Sequence, residues 1–340
     1  MVTIKQIAEC AGVSTTTVSN VIHGKTKKVS AEKIELIQRL IDEMGYVTPL
    51  GLSVLHKSRS RMVAVIINRH QVYDQSILSD PFYGSIVGYI EEELHKSGYY
   101  MLFYSADNTD EIFNMVMTWN VDAVILLSMA ALYCEKIQQM VKKPVICIDP
   151  IGKPKKTSGV ATISLDDEKG GYLMSKYLIQ EGYEVIHICG GRVDMGVDEC
   201  RVKGAMRALR DSGKGKEVQI FAHSAGISYP ERERFYKNMY RGFQKDKKTA
   251  VFCLADRYAF EVNSFLQERG VSIPEDIGIA GFDGVSSAAK NTYPRLTTIR
   301  QNLFQKSELA VREVITAVEQ PDYKMNSHIV DVGLIIRKST

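Results

Sequence analysis

Hydrophobic residues in the first 22 positions recur every three or four residues, which predicts two short helices with one apolar side each. The apolar positions are Ile4, Ile7, Ala8 and Ala11 in the first helix, and Val18, Val21 and Ile22 in the second. Thr3 and Ser14 stand where N-capping residues are expected, and Gly12 stands where the first helix should end. The pattern therefore predicts two packed helices joined by a short turn.

The outer side of the second predicted helix is polar. It carries Thr15, Thr16, Thr17, Ser19 and Asn20, all short side chains that can donate or accept hydrogen bonds. A short helix pair that exposes small polar groups is typical of the helix-turn-helix, whose second helix enters the major groove of DNA. The same pattern also fits two ordinary packed helices with a solvated face.

A third apolar stripe follows a basic loop at residues 25–28. It consists of Ile34, Ile37, Ile41 and Met44 in a helix that we expect Ser30 to cap and Gly45 to end. The next residues, 46–61, include Pro49 and Gly51 and are too short to bury a core, so they indicate a linker.

From Met62 onward, β-branched runs alternate with amphipathic helices, which predicts parallel sheets with crossover helices. The predicted strands of a first unit are Met62–Ile67, Tyr99–Tyr104, Ala123–Leu127 and Pro144–Ile148. Those of a second unit are Ala161–Leu165, Val185–Cys189, Val218–Ala222, Ala250–Leu254 and Ile277–Gly281. The chain then returns through a strand at Leu296–Arg300, a helix at Leu303–Val318 and a last strand at Ile329–Arg337.

The predicted domains are a helix-turn-helix domain over residues 1–46, a hinge or linker over 47–61 and an α/β core over 62–340. Within the core we expect an N-lobe of about residues 62–160 and 290–322, and a C-lobe of about 161–289 and 323–340. Two such lobes imply a cleft, because ligands in open α/β sheets bind beyond the carboxyl ends of the strands.

Charge and composition support a DNA-binding amino terminus on a soluble chain. Residues 1–61 contain nine Lys and Arg but only five Asp and Glu, although the whole chain of 340 residues carries a net charge of only +3. The polar amino terminus is unlike a signal peptide, and no apolar run is long enough for a membrane span. We therefore expect a cytoplasmic protein without a membrane partner. The six cysteines are scattered, and we expect neither a metal nor a cofactor.

Residues at the predicted strand ends can bind a polyhydroxylated ligand. Asp149, Asp256 and Asp283 each follow a strand, and carboxylates accept hydrogen bonds from sugar hydroxyls. Arg201 offers a charged fork for two oxygens, and Phe82 can lie against the apolar face of a sugar ring. Asp256 is an equally good candidate for a helix N-cap, and Phe82 for an ordinary core residue. The loop from Asn68 to Ser79, with Arg69, His70, Tyr73 and Asp74, is either a ligand contact or plain surface.

The sequence resembles the LacI (lactose repressor) family of bacterial transcriptional regulators over nearly its whole length. The matching pieces in the head are Thr3-Ile4, Ala11-Gly12-Val13-Ser14, Thr17-Val18-Ser19, Val29-Ser30, Gly45-Tyr46 and Leu55. Those in the body include Asp80-Pro81-Phe82-Tyr83, Asp166-Asp167, Arg201-Val202-Lys203-Gly204, Ile273-Pro274-Glu275-Asp276, Gly281-Phe282-Asp283 and Arg337-Lys338-Ser339-Thr340. The resemblance implies a helix-turn-helix head on a periplasmic-binding-protein-like core.

The resemblance also implies function. We expect a homodimeric repressor that binds a palindromic operator in double-stranded DNA and responds to a small-molecule effector, a sugar or sugar derivative. The expected DNA contacts are Thr3, Ser14, Thr15, Thr16, Thr17, Ser19, Asn20, His23, Lys27, Lys28, Tyr46 and the hinge leucine Leu55. The expected effector contacts are Phe82, Asp149, Arg201, Asp256 and Asp283. A catabolite-control regulator that responds to a phosphoprotein corepressor is the alternative.

Three parts of the chain depart from the family pattern, namely the hinge, the second predicted helix and the residue before Asp256. The proline of the hinge comes one residue late, at Pro49, and Leu52-Ser53 replaces the usual Ala-Arg pair. Asn20 stands where arginine is frequent, and asparagine matches adenine rather than guanine. Ala255 replaces an asparagine beside Asp256, so one polar contact to the usual ligands is missing.

An enzyme is the rival class, because doubly wound sheets also host dehydrogenases. The sequence has no G-x-G-x-x-G fingerprint, no G-x-S-x-G nucleophile motif and no histidine pair at metal-ligand spacing. We therefore expect no catalytic residues.

Overall fold

The computed structural model describes residues 2–22, 25–46, 59–68, 76–106, 108–152, 160–226, 228–244, 246–284 and 288–340. The chain divides into an amino-terminal unit, residues 1–60, and a core, residues 61–340. The candidate DNA contacts His23 and Leu55 and the hinge residues Pro49, Leu52 and Ser53 lie outside the described residues. None of the helices in the described ranges is long and apolar enough to cross a membrane.

The amino-terminal unit contains three helices, α1 (Ile4–Ala11), α2 (Thr15–Ile22) and α3 (Ala31–Met44), and a 3-10 turn at Thr26–Lys28. Thr3 caps α1 in a capping box: its Oγ1 accepts from the Gln6 N–H at 3.3 Å, and its own N–H donates to Gln6 Oε1 at 2.9 Å. Gly12 ends α1 with a φ of 63°, a left-handed conformation that favours glycine. These ends confirm the prediction for α1.

The second and third helices follow the predicted pattern with one exception. Ser14 Oγ accepts from the Thr17 N–H at 3.1 Å at the start of α2. Ser30 has the backbone of an N-cap at the start of α3, but its side chain makes no capping bond, so the predicted capping by that side chain is wrong. Ile7, Val18 and Ile37, one from each helix, are fully buried and form the centre of the small core.

The core contains two six-stranded sheets, whose strands are β1 (Met62–Asn68), β2 (Tyr100–Ala106), β3 (Ala123–Leu127), β4 (Val145–Ile148), β5 (Val160–Leu165), β6 (Val185–Gly190), β7 (Gln219–Ser224), β8 (Thr249–Cys253), β9 (Ile277–Asp283), β10 (Thr297–Gln301), β11 (His328–Val330) and β12 (Val332–Ile335). The first sheet has the order β11-β5-β4-β3-β1-β2 and is parallel throughout. The second has the order β12-β10-β9-β8-β6-β7 and is parallel except for β12, which runs antiparallel to β10.

The helices of the core are α4 (Pro81–Lys96), α5 (Thr109–Trp119), α6 (Ala131–Val141), α7 (Asp167–Gln180), α8 (Gly196–Ser212), α9 (Tyr229–Arg241), α10 (Asp256–Gln267), α11 (Ala288–Asn291) and α12 (Leu303–Glu319). The first lobe consists of the first sheet with α4, α5, α6 and α12, and the second lobe of the second sheet with α7 to α11. Helix α12 packs on α4 and on strands β3 and β4 of the first lobe.

The strand positions were predicted well, but three sheet assignments were wrong. Strand β5 belongs to the first sheet and not to the predicted second unit. It pairs with β4, where Val145 lies opposite Val160. Strand β10, within the range assigned to the N-lobe, belongs to the second sheet beside β9. The last predicted strand is two strands, since β11 pairs with β5 and β12 with β10. Sheet membership depends on long-range pairing, which the local pattern of a buried strand does not contain.

Candidate functional site

The candidate DNA-binding surface is the outer face of α2 and the turn that precedes it. Val18 and Val21 pack inward, which leaves Thr15 and Thr16 exposed and Thr17, Ser19 and Asn20 half-buried on the other faces. The exposed part of the helix therefore presents hydroxyl groups and one amide. These short groups allow the helix backbone to approach base edges closely, as recognition helices do.

The remaining DNA candidates lie at the helix ends and in the basic turn. Lys27 and Lys28 are exposed on the 3-10 turn, where their ammonium groups can neutralise phosphates. Thr3 and Ser14 are exposed, but their side chains already cap α1 and α2. Tyr46 is half-buried and packs against the small core, so part of its ring has a structural role.

A cavity of about 390 Å³ opens between the lobes of the core, beyond the carboxyl ends of the strands. Strand ends of both sheets contribute to its wall: Asn68, Ser128 and Asp149 from the first lobe, and Gly191, Leu254, Asp283 and Gln301 from the second. The starts of α4, α8 and α10 complete the wall. The volume is within the range of small-molecule sites.

Four of the five predicted effector contacts line this cavity, namely Phe82, Asp149, Arg201 and Asp283. Asp256 does not. Its Oδ1 accepts from the Thr298 hydroxyl at 2.6 Å and its Oδ2 from the Gly284 N–H at 2.8 Å, so both oxygens are directed at the second sheet. The structure thus gives this carboxylate hydrogen-bond partners within the second lobe, and Asp256 is not among the residues that line the cavity.

Arg201 is held rigidly by the second lobe. Its Nε donates to Asp167 Oδ1 at 2.8 Å, its Nη1 donates to the Leu254 carbonyl, and its guanidinium lies 3.6 Å from the centre of the Phe282 ring. Burial raises the pKa of Asp167 to about 6, and the adjacent guanidinium opposes that rise. Because Nε and one N–H of Nη1 are occupied, Arg201 offers less than the full fork that we predicted.

Asp149 and Asp283 line the cavity from opposite lobes, and both have unusual backbone conformations. Their φ angles are 49° and 129°, in the left-handed region that residues other than glycine seldom adopt. Asp283 Oδ1 accepts from Gln301 Nε2 at 2.6 Å, and burial raises the pKa of Asp283 well above its usual value. Asp149 Oδ1 is buried without a hydrogen-bond partner among the residues that the structure describes.

Sequence reasoning missed several side chains of the site. Arg257 and Asp80 both line the cavity, and Arg257 Nε lies 3.8 Å from Asp80 Oδ2, which joins the second lobe to the first. Gln301 ends β10 in the wall, and Lys306 is buried directly behind Asp149. Lys306 had a detectable signal, because it falls on the apolar stripe of α12, where a lysine is out of place. Among the loop candidates, Arg69, His70, Tyr73 and Asp74 lie outside the described residues.

Comparisons with known proteins agree with this architecture. The family described as "Periplasmic binding proteins and sugar binding domain of LacI family" matches residues 70–320, and "Bacterial regulatory proteins, lacI family" matches residues 3–49. The HTH-type transcriptional repressor PurR of Pasteurella multocida (strain Pm70) is 30% identical over 351 residues, covering 100% of this chain and 98% of the relative.

Two solved structures share the fold. The lac repressor dimer bound to operator and the anti-inducer ONPF has a TM-score of 0.79 at 20% identity and covers 99% of this chain and 98% of its own. The CelR–cellobiose complex has a TM-score of 0.70 at 22% identity and covers 100% of both chains. With a head that matches the regulators and a core that matches their ligand-binding domain, the chain belongs to the LacI family, whose members are DNA-binding transcriptional regulators rather than enzymes.

Proposed function

We propose that this regulator is a cytoplasmic repressor whose operator affinity is controlled by an uncharged, polyhydroxylated effector, a sugar or sugar derivative, bound in the cleft of the core. The observation that carries the proposal is the wall of this cavity, which combines the carboxylates of Asp149 and Asp283 with the aromatic ring of Phe82. Hydroxyl groups of the effector donate hydrogen bonds to the carboxylates.

The other cavity walls suit the same ligand class. Phe82 contributes an aromatic surface for the C–H face of a sugar ring, and Asp283 and Arg201 lie on the opposite lobe. The three arginines among the lining residues already have carboxylate neighbours, since Arg201 pairs with Asp167, Arg192 pairs with Asp194 and Arg257 lies near Asp80. A ligand with many neutral donors and acceptors therefore fits better than an anion.

On the DNA side, we propose that α2 reads base edges through Thr15, Thr16, Thr17, Ser19 and Asn20, while Lys27 and Lys28 contact phosphates. The helix ends at Thr3 and Ser14, together with Tyr46, His23 and the hinge residue Leu55, complete the proposed contact set. Two copies of the chain place two recognition helices on the two halves of a palindromic operator.

The mechanism is thermodynamic linkage between the cleft and the operator. An effector that binds one arrangement of the lobes more tightly changes the population of the DNA-binding state. By reciprocity, the operator changes effector affinity by the same factor, typically about 5–150-fold.

The test begins with selection of the preferred DNA sequence from a random pool by the purified full chain. Fluorescence anisotropy then measures operator affinity with and without D-ribose, D-glucose or cellobiose, for the wild type, Asp149→Ala and the matched control Asp110→Ala. Asp110 is exposed in the first turn of α5. We expect an inverted-repeat sequence, a sugar-dependent change in its affinity, and loss of that change in Asp149→Ala only.

Two results would contradict the proposal. One is a chain that prefers no inverted repeat over random duplex. The other is equal sugar affinity, measured by calorimetry, in the presence and absence of operator, which would exclude linkage.

A further inference from the structure

Lys306 is a charged residue in a position that should be apolar. It lies on the face of α12 that also buries Leu303 and Ala310, and none of its surface is exposed. Burying an ammonium group is unfavourable unless it is paired and hydrogen-bonded. Its contacts therefore indicate what the lysine is for.

Lys306 contacts the carboxylate of Asp149, the residue of the first lobe that lines the cavity. Its Nζ lies 2.5 Å from Asp149 Oδ2, and 5.7 Å from the centre of the Phe82 ring. The contact occupies Oδ2, while Oδ1 of the same carboxylate is buried without a partner among the described residues. Lys306 thus fixes the position of the Asp149 carboxylate through Oδ2.

The same ammonium group also reaches the second lobe. It donates to Gln301 Oε1 at 3.1 Å, Gln301 Nε2 donates to Asp283 Oδ1 at 2.6 Å, and Asp283 Oδ2 accepts from the backbone N–H of Asp256 at 3.3 Å. Gln301 and Asp283 end strands of the second sheet, whereas Asp149 and α12 belong to the first lobe. A continuous series of polar contacts therefore crosses from lobe to lobe.

We propose that Lys306 is a positioning residue that couples Asp149 of the first lobe to Asp283 of the second through Gln301. The role as a reporter of effector binding rests on the proposed function, but the coupling itself does not. A change at Asp149 alters the contact of the ammonium group with Gln301 Oε1, which shifts Gln301 Nε2 relative to Asp283 Oδ1 and so weakens the acceptance of the Asp256 N–H by that carboxylate. A change at Asp149 in the first lobe therefore changes the hydrogen bond between Asp283 and the Asp256 N–H in the second lobe.

The test is hydrogen–deuterium exchange of the full chain without effector or DNA, followed by mass spectrometry. Asp149→Asn removes the charge while keeping the size, and asparagine tolerates the φ of 49° at this position. We expect exchange at the Asp256 amide to accelerate by at least about fivefold, the lower end of typical coupling between sites. Asp110→Asn, on an exposed position of the same lobe, should leave that amide unchanged.

A second pair of variants removes the intermediate contact. In a Gln301→Leu background, Asp149→Asn should produce less than half of its effect on the Asp256 amide, because the connection between the lobes is already broken. Lys306→Met combined with Asp149→Asn removes both charges of the pair, so no buried charge is left unpaired, and it should return exchange at the Asp256 amide towards the wild-type rate.

Confinement of the accelerated exchange to the first lobe, around residues 145–149 and 303–310, would overturn the proposal. An equal effect of Asp149→Asn on exchange at the Asp256 amide, in the wild type and in the Gln301→Leu background, would also overturn the proposal. A chain that shows the transmission but binds no inverted repeat would refute the proposed function and leave the coupling intact.

Discussion

A Cβ atom added to Gly171 would lie 2.8 Å from the Cα atom of Arg201 and closer still to the carbonyl group of that residue. Helices α7 and α8 therefore cross with their backbones in contact at this point. A Cβ on Gly204 would likewise meet the backbone of Glu168 across the same crossing. The position of the cavity arginine consequently depends on two glycines that touch no ligand.

We predict that Gly171→Ala lowers the free energy of unfolding by about 1–3 kcal/mol, the usual cost of adding a methyl group to a packed interface. Because neither side of the contact is a flexible side-chain end, the helices must move apart. Urea unfolding measures the change. Gly88→Ala is the control, since Gly88 lies in α4 with no atom within 4 Å of an added Cβ. We expect this variant to raise the free energy of unfolding by about 0.5–1 kcal/mol. Equal effects of both variants would contradict the close crossing.

We predict that the core loses stability as pH rises from about 4 to about 7. Burial raises the pKa of Asp256 to about 7, whereas the group ionises near 3.8 when unfolded. In this window the folded chain binds more protons than the unfolded chain, so the free energy of unfolding falls with rising pH.

Asp256→Asn should flatten this pH dependence, because the amide does not titrate, while the exposed control Asp110→Asn should retain the wild-type slope. Urea unfolding at a series of pH values between about 4 and about 7 measures the slope of the free energy of unfolding against pH. An unchanged slope in Asp256→Asn would mean that other carboxyl groups dominate.

We predict that Asn20 reads adenine at one operator position. Asparagine pairs with adenine N6 and N7, whereas arginine pairs with guanine O6 and N7. Selection of binding sites with the wild type and with Asn20→Arg should therefore give operators that differ from adenine to guanine at one position in each half-site. Each protein should prefer its own operator by about tenfold. Identical selected sequences would contradict base reading by this residue.

We predict that Lys27 and Lys28 contribute affinity without sequence preference. Lys27→Ala and Lys28→Ala should each reduce the slope of log affinity against log salt by about 1 and leave the selected operator unchanged. Anisotropy titrations over a range of salt concentrations measure the slope. Lys324→Ala, an exposed lysine of the core, is the control and should leave the slope as in the wild type.

The sequence by itself determined the local elements. Capping of α1 by Thr3 and its end at Gly12 follow from short-range chemistry, and so does the apolar stripe that buries Ile7 and Val18. Strand β3 has the predicted bounds because a short apolar run between turn signals is a local pattern. The order of these and the other matching residues along the chain then indicated the LacI family.

Only the tertiary structure decided which sheet each strand joins and where each side chain points. Strand β5 belongs to the first sheet through pairing with β4, and Asp256 turns from the cavity because Thr298 and Gly284 supply its donors. Lys306 meets Asp149 across 157 positions of sequence. The physical reason is that capping and periodicity act over a few residues, whereas strand pairing, side-chain direction and the pairing of buried charges are set by groups that only the folded chain brings together.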